Sequence, residues 1–138
     1  MKIFIDSNVL IAAYISHGSC YELYNHCLDK HTVYSSKFVR DEVIEKLTKK
    51  MRLSEEKSQW ASEHLYTNTI LVSEALLKEQ ICRDKDDDHI LAAAIWAGAD
   101  CIISGDADLL VLKKVHNIPI ILPRDFWQFE EHYNRHLY

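Results

Sequence analysis

The stretch that decides the fold is Arg83-Asp84-Lys85-Asp86-Asp87-Asp88-His89-Ile90-Leu91-Ala92-Ala93-Ala94. Four of its carboxylates fall within five residues, and the apolar run from Ile90 to Ala97 follows at once. A second acidic segment, Ser104-Gly105-Asp106-Ala107-Asp108, follows the apolar run Cys101-Ile102-Ile103. Acidic residues at the ends of buried segments repel one another unless a cation lies between them. The sequence therefore predicts a cation site.

Composition predicts one globular domain that spans residues 1–138. The chain is 48% hydrophobic and contains no run of membrane-spanning length and no pattern typical of a signal peptide. We therefore expect a cytoplasmic protein without a membrane partner. The cysteines are scattered without a C-x-x-C motif, which favours reduced thiols: Cys20, Cys27, Cys82 and Cys101. The net charge of −5 by itself argues against a nucleic-acid partner.

Short apolar runs alternate with helical patterns along the whole chain. Strands are predicted at 2–5, 32–34, 69–72, 101–103 and 118–122. Helices are predicted at 9–15, 20–29, 37–50, 55–66, from 86 or 87 to 97, at 108–114 and at 123–135. This alternation predicts a three-layer α/β domain with a mainly parallel central sheet flanked by helices.

Three acids are expected at one edge of that sheet. Asp6 and Asp106 each follow a strand, and parallel strands place their carboxyl ends at the same edge. Asp88 falls in the first turn of a helix that begins at this edge. In the same segment Asp86 and Asp87 are interpreted as a helix cap and a dipole partner rather than ligands.

A fourth acid comes from the helix predicted over residues 37–50. Glu42 follows Phe38 by four residues and Val39 by three, so it points between apolar neighbours. Asp41 and Glu45 compete with it on spacing, and the pattern does not exclude either.

Converging carboxylates favour a hard divalent cation such as Mg²⁺ or Mn²⁺, which takes oxygen ligands and bridges to phosphate. Such a site hydrolyses phosphodiesters. Asp108 is either a further ligand or the cap of a short helix. His132 and His136 are four residues apart but have no evident third ligand, so no zinc site is expected.

With these motifs the sequence resembles PIN-domain proteins, and most closely the bacterial branch of toxins related to VapC. The segments that carry the resemblance are 4–10, 36–42, 83–94, 98–110 and 123–126. The resemblance implies a Mg²⁺- or Mn²⁺-dependent ribonuclease, often dimeric and often held inactive by an antitoxin. It implies a catalytic, metal-binding quartet of Asp6, Glu42, Asp88 and Asp106, supported by Asn8 and Ser104. Lys85 departs from the family pattern, which usually has a proline there.

RNA contacts are predicted for the basic run Lys46, Lys49, Lys50 and Arg52, with Lys57, Lys113 and Lys114 as further candidates. Two alternatives stay open. A haloacid-dehalogenase-like phosphotransferase also begins with a strand-end aspartate, but it requires a second acid where this chain has Asn8. A non-catalytic RNA- or protein-binding module is the other alternative, and the complete quartet argues against it.

Overall fold

The structure is a computed structural model of the chain, and it describes residues 1–73 and 81–136. The strands are β1 (Lys2–Ile5), β2 (Thr32–Ser36), β3 (Ile70–Val72), β4 (Cys101–Ile103), β5 (Lys114–Val115) and β6 (Ile118–Ile121). The helices are α1 (Ser7–Ile15), α2 (Ser19–Lys30), α3 (Lys37–Glu45), α4 (Glu55–Asn68), α5 (Lys85–Ala97), α6 (Ala107–Leu110) and α7 (Phe126–Arg135). A π-helical turn, Lys46–Lys50, continues α3, and a 3₁₀ turn, Pro123–Asp125, leads into α7. The segment 74–80, where the sequence predicts no clear element, lies outside the described residues.

The sheet has the strand order β3-β2-β1-β4-β6-β5. The four pairs from β3 to β6 are parallel, and Phe4 of β1 lies between Tyr34 of β2 and Ile102 of β4. Only β5 runs antiparallel to its neighbour, at the edge of the sheet. The prediction of a mainly parallel sheet is confirmed.

The β5–β6 hairpin is absent from the sequence prediction, which placed a helix over residues 108–114. The helix ends at Leu110, and a turn joins the two strands through His116 and Asn117, both with positive φ. Two successive positive φ values are typical of the tight turns that fit the twist of a hairpin. A two-residue strand is too short to show alternating polarity, and the turn lacks the glycine that usually marks it.

The apolar residues of the central strands β1 and β4 are fully buried. Ile3, Phe4 and Ile5 in β1 have no exposed surface, and the same holds for Cys101–Ile103 in β4. Continuous apolarity of this kind is typical of parallel strands that are covered by helices on both faces. Each helix layer adds fully buried side chains, among them Leu10, Leu23, Leu47, Leu65, Leu91 and Phe126. This confirms the predicted three-layer α/β architecture.

Helix caps fix where the functional side chains point. Ser36 and Ser54 cap α3 and α4, each accepting a backbone N–H at 3.2 Å. The cap of α5 is Asp84, whose Oδ1 accepts the backbone N–H of Asp86 at 3.0 Å. The prediction of a cap at residue 86 or 87 is therefore wrong by two or three residues. This shift changes which acid of the following run faces the sheet.

Within the described residues, no helix is long and apolar enough to cross a membrane.

Candidate active site

An acidic cleft of about 600 Å³ opens at the carboxyl edge of the sheet. Its acids come from different elements: Asp6 follows β1, Asp106 follows β4, Glu42 lies on α3 and Asp87 on α5. Since β1 and β4 are neighbouring parallel strands, their ends bring Asp6 and Asp106 to the same place. The structure thus brings three members of the expected quartet together, with Asp87 as the fourth acid.

Asp6 is almost fully buried and is held by two serines. Its Oδ1 accepts the backbone N–H of Ser7 at 2.7 Å, and its Oδ2 accepts the hydroxyl of Ser104 at 2.7 Å. The Ser104 hydroxyl also accepts the backbone N–H of Asp106 at 3.0 Å, so one side chain positions both strand-end acids. Burial raises the pKa of Asp6, the two serine hydrogen bonds lower it, and the charges of Glu42 and Asp106 raise it again, with a net increase.

Glu42 reaches the cleft from α3 and is joined to Asp6 through Ser7. The Ser7 hydroxyl donates to Glu42 Oε1 at 2.9 Å and lies 3.4 Å from Asp6 Oδ1. Lys46, one helical turn on, donates to the same Glu42 oxygen at 3.0 Å. This role of Ser7 is not predicted from the sequence, because a serine after a strand gives no signal of its own there. Asn8, implied by the resemblance to support the acids, is exposed and lines the cleft.

The acids that competed with Glu42 lie farther out. Asp41 and Glu45 line the cleft but are exposed. Asp41 Oδ2 accepts a hydrogen bond from Lys37 Nζ at 2.6 Å, and Glu45 Oε1 lies 3.6 Å from Lys49 Nζ. Both are ion pairs between exposed side chains four residues apart on one helix, which contribute little to stability.

Asp88 does not face the cleft, contrary to the expected quartet. Its Oδ1 accepts the backbone N–H of Cys82 at 2.9 Å, and its Oδ2 accepts that of Ile81 at 3.2 Å. The carboxylate therefore fixes the segment that leads into α5. Successive helical residues point about 100° apart, so two adjacent acids cannot share one direction.

Asp87 takes the place in the cleft that was expected for Asp88. It is 8% exposed, and it lies on the same helix face as Ile90, Leu91 and Ala94, which are all buried. One oxygen from each of Asp87, Asp106 and Asp108 lies within 4.8 Å of the others. The spacing of Asp87 to these apolar residues, three, four and seven positions on, is a signal that sequence reasoning could have used.

The environment of Asp87 fits a divalent cation. Its Oδ2 is buried and has no hydrogen-bond partner among the described residues. Burial raises the pKa of Asp87 from its ordinary 3.8 to about 7, and the charges of Asp106, Asp84, Asp6 and Asp108 contribute in the same direction. An unpaired buried carboxylate is costly unless a positive charge compensates it. Clustered carboxylate oxygens are the ligands that Mg²⁺ and Mn²⁺ prefer.

Asp108 is not the cap of α6, which removes one of its two sequence-based interpretations. The cap is Asp106, whose Oδ1 accepts the backbone N–H of Asp108 at 2.7 Å. The Asp108 carboxylate accepts from Arg83 at 3.1 Å, and the Arg83 side chain is largely exposed. Asp108 thus lies at the outer side of the acid cluster, beside Asp87 and Asp106.

Three lysines also line the cleft. Lys46, Lys49 and Lys50 all lie on the π-helical turn after α3. Arg52, the fourth member of the basic run, is exposed and does not line the cleft. The cleft therefore combines the buried acids Asp6 and Asp87 with the exposed cations Lys49 and Lys50, and local cations of this kind attract an anionic polymer.

Comparison with known proteins gives a family match. A family model described as PIN domain matches residues 2–108. No curated protein sequence matches the chain.

Several solved structures share the fold. VapBC2 from Rickettsia felis, solved bound to a DNA fragment from its promoter, is 14% identical with a TM-score of 0.64, covering 88% of this chain and 98% of that one. Mycobacterium tuberculosis VapC20, described as a sarcin-ricin loop cleaving toxin, is 14% identical with a TM-score of 0.60 over 85% and 98%. FitAcB from Neisseria gonorrhoeae is 16% identical with a TM-score of 0.56 over 88% and 97%. At these identities the similarity establishes the fold alone.

Proposed function

Because this chain belongs to the PIN-domain family, we propose that it is a metal-dependent ribonuclease that hydrolyses RNA phosphodiester bonds. The metal and catalytic residues in this proposal are Asp6, Glu42, Asp87 and Asp106, with Asp108 as an outer ligand. The proposal replaces Asp88 with Asp87, because Asp88 is occupied by backbone N–H groups.

The observation that carries the proposal is the buried, unpartnered Oδ2 of Asp87 beside Asp106. A fold has little reason to keep such an oxygen without a partner, since burial without a hydrogen bond costs about 1–3 kcal/mol. Asp6 and Glu42 raise the local negative charge further. A dication would give this Asp87 oxygen a partner and compensate the negative charge of the neighbouring acids.

The residues of the site have different roles in the proposed reaction. A bound Mg²⁺ or Mn²⁺ supplies a lowered pKa for an attacking water and stabilises negative charge on the phosphate. Asp87 and Asp106 would hold the ion, and Asp6 would complete the ligand set from the end of β1. Ser7 and Ser104 fix the orientation of these carboxylates through hydrogen bonds. Outer partners of this kind typically change metal affinity or activity by about 10- to 100-fold.

RNA is the proposed substrate on two grounds. The lysines that line the cleft, Lys46, Lys49 and Lys50, would contact phosphates of the bound strand. VapC20, which shares the fold, is described as a toxin that cleaves the sarcin-ricin loop. We include in the proposal that the chain acts as a toxin with a protein antitoxin as its partner, as the sequence resemblance implies.

The proposal extends to assembly: one domain over residues 1–138 that forms a homodimer. On α7, Phe126 is buried, whereas Trp127 is 43% exposed. The exposed aromatic surface is available for a contact with a second copy. Sedimentation at high micromolar concentration tests this, and a monomer would contradict the dimer.

A cleavage assay tests the proposed function. Tag-free protein is incubated with a mixed RNA pool in Mn²⁺ or Mg²⁺, and in parallel with excess EDTA. We expect cleavage with the metals and none with EDTA. Asp106→Asn is expected to lose activity, because an amide is a poor ligand for a hard dication. Asp29→Asn, on the exposed surface of α2, is the matched control and should retain it. Cleavage that survives EDTA, or none with either metal, would contradict the proposal.

A further inference from the structure

A second cluster of metal-binding side chains lies outside the acidic cleft. His26 belongs to α2, His31 follows directly after this helix, and Glu130 belongs to α7. The Nε2 atoms of both histidines meet the same carboxylate oxygen, Glu130 Oε2, at 2.6 and 2.5 Å. None of the three lines the acidic cleft. Sequence reasoning missed this group because its members are far apart in the chain.

The three side chains are held in place by their surroundings. The side chains of His31 and Glu130 are 8% and 16% exposed, and that of His26 is 27% exposed, so the group opens to solvent on the His26 side. The second ring nitrogen of His31, Nδ1, lies 3.1 Å from the Met1 nitrogen. The His26 ring packs edge-on against Trp127, with centroids 4.7 Å apart. Ligands that are fixed in this way bind a metal without a large ordering cost.

The carboxylate at the centre of the group is kept in its charged form. Burial raises the pKa of Glu130, but hydrogen bonds from His31 and His26 outweigh this and hold the pKa below its usual value. In these hydrogen bonds the protons lie on the two Nε2 atoms, so a divalent cation would release them to solvent as it binds. Neighbouring Cys27 is buried and is not part of this group of donor atoms.

Two imidazoles and one carboxylate form a donor set that zinc accepts, with a fourth position left for water. Tetrahedral zinc with bonds of about 2.0–2.2 Å keeps its ligand atoms about 3.3 Å apart. The two Nε2–Oε2 distances, 2.6 and 2.5 Å, would each widen by less than about 1 Å. A small movement of the Glu130 carboxylate lengthens both, and rotation of the partly exposed His26 ring adjusts the first. The imidazole nitrogens separate this set from the all-oxygen cleft, which suits magnesium or manganese instead.

We propose that His26, His31 and Glu130 bind one zinc-class divalent cation, which fastens α7 to the end of α2. Among the ten residues of α7, Phe126 is the one that is buried. The helix thus has a small apolar attachment, and a metal bridge adds a second one. Zinc binding then stabilises the folded chain by mass action, independently of the cation in the acidic cleft.

Calorimetric titration of the tag-free protein with Zn²⁺, in excess Mg²⁺ to occupy the oxygen ligands of the cleft, tests the proposal. We expect one Zn²⁺ per chain and a melting temperature that rises with Zn²⁺. Glu130→Gln and His26→Ala each alter one proposed ligand. Each should weaken Zn²⁺ binding by about 10- to 100-fold or more, since the loss of an outer partner alone typically has an effect of this size. Co²⁺ substitution should give visible absorption bands in wild type that both variants lack.

The control addresses a different histidine pair, His132 on α7 and His136 directly after it. Both are exposed, with ring centroids 4.2 Å apart, and such a pair binds zinc weakly by itself. The double variant His132→Ala/His136→Ala should retain Zn²⁺ binding and the Co²⁺ bands. Loss of binding in this double variant, wild-type affinity in folded His26→Ala, or no Zn²⁺ binding by wild type would overturn the proposal. His26 is partly exposed, so its variant keeps the test valid if Glu130→Gln fails to fold.

Discussion

Asp87 places a carboxylate where one of its oxygens has no partner among the described residues. In the metal-free protein this has a cost that depends on pH. The proton stays on Asp87 up to about pH 7 in the folded chain, because burial and the surrounding acids oppose its charge. In the unfolded chain the same group loses its proton near its ordinary pKa of 3.8. Because the pKa of Asp87 differs between the folded and the unfolded chain, its titration makes the free energy of unfolding depend on pH.

The sign of this dependence follows from the raised pKa. Between about pH 4 and 7 the unfolded chain gives up the Asp87 proton and the folded chain does not, so stability falls as pH rises and the full loss is present above pH 7. For metal-free protein we expect the free energy of unfolding to drop by a few kcal/mol across this range, at about 1.4 kcal/mol per pH unit. Asp87→Asn should reduce the slope, and the raised pKa of Asp6 leaves a residual slope of the same sign.

Urea unfolding in EDTA at pH 5 and pH 7.5 measures this slope. Asp86→Asn is the matched control, since Asp86 is the exposed neighbour of Asp87, and it should keep the wild-type slope. Equal slopes for wild type and Asp87→Asn would show that Asp87 is not the group whose raised pKa causes the pH dependence.

At the scale of the element, the start of α5 decides which acid reaches the site. The sequence shows a run of acids before an apolar helix, and several of them can cap it. Choosing residue 86 or 87 as the cap left Asp88 as the acid that enters the cleft. The structure uses Asp84 instead, so the helix begins at Lys85 and Asp87 shares a face with the buried residues. Neighbouring candidates for a cap are nearly equivalent in local sequence, and packing against the sheet decides between them.

The Asp84 cap can be tested by separating its hydrogen bond from its charge. Asp84→Ser keeps a capping oxygen and removes a charge from the acidic cluster, whereas Asp84→Ala removes both. We expect Asp84→Ala to be less stable than Asp84→Ser by about 0.5–2 kcal/mol, as for other caps. Chemical denaturation of the two variants in EDTA measures the difference. Equal stability would indicate that another residue caps α5.

At the scale of the whole molecule, the predictable features are those that depend on order along the chain. Alternating apolar runs and helices indicate a parallel sheet, and a parallel sheet brings Asp6 and Asp106 to one edge. The features that sequence reasoning missed depend on rotation or distance. To identify Asp87 as the cleft acid one must know how α5 is rotated about its axis. To identify the His26–Glu130 contact one must know that α2 packs beside α7. The β5–β6 hairpin was missed because one of its strands has two residues.

Net charge also acts at this scale, because a chain with a charge of −5 must bind an anionic polymer locally. Lys49 and Lys50 line the cleft. We expect Lys49→Ala/Lys50→Ala to weaken RNA binding and to reduce the slope of log affinity against log salt by about 1.4, at about 0.7 per phosphate contact with single strands. Filter binding in Ca²⁺ over a salt series measures this. Lys2→Ala/Lys30→Ala, which changes two exposed lysines outside the cleft, is the control, and a matching loss there would contradict the assignment.

The assignment of Asp87 rather than Asp88 to the metal site is the central claim, and adjacent substitutions test it most directly. Mn²⁺ affinity by calorimetry and RNA cleavage are measured for Asp87→Asn and Asp88→Asn, with folding checked by circular dichroism. The structure predicts that Asp87→Asn loses cleavage and most Mn²⁺ affinity. It predicts that Asp88→Asn keeps both within about tenfold, because one amide oxygen at the position of Oδ1 can accept both the Cys82 N–H, at 2.9 Å, and the Ile81 N–H, at 3.3 Å. An active Asp87→Asn enzyme beside an inactive, folded Asp88→Asn enzyme would contradict this account of the site.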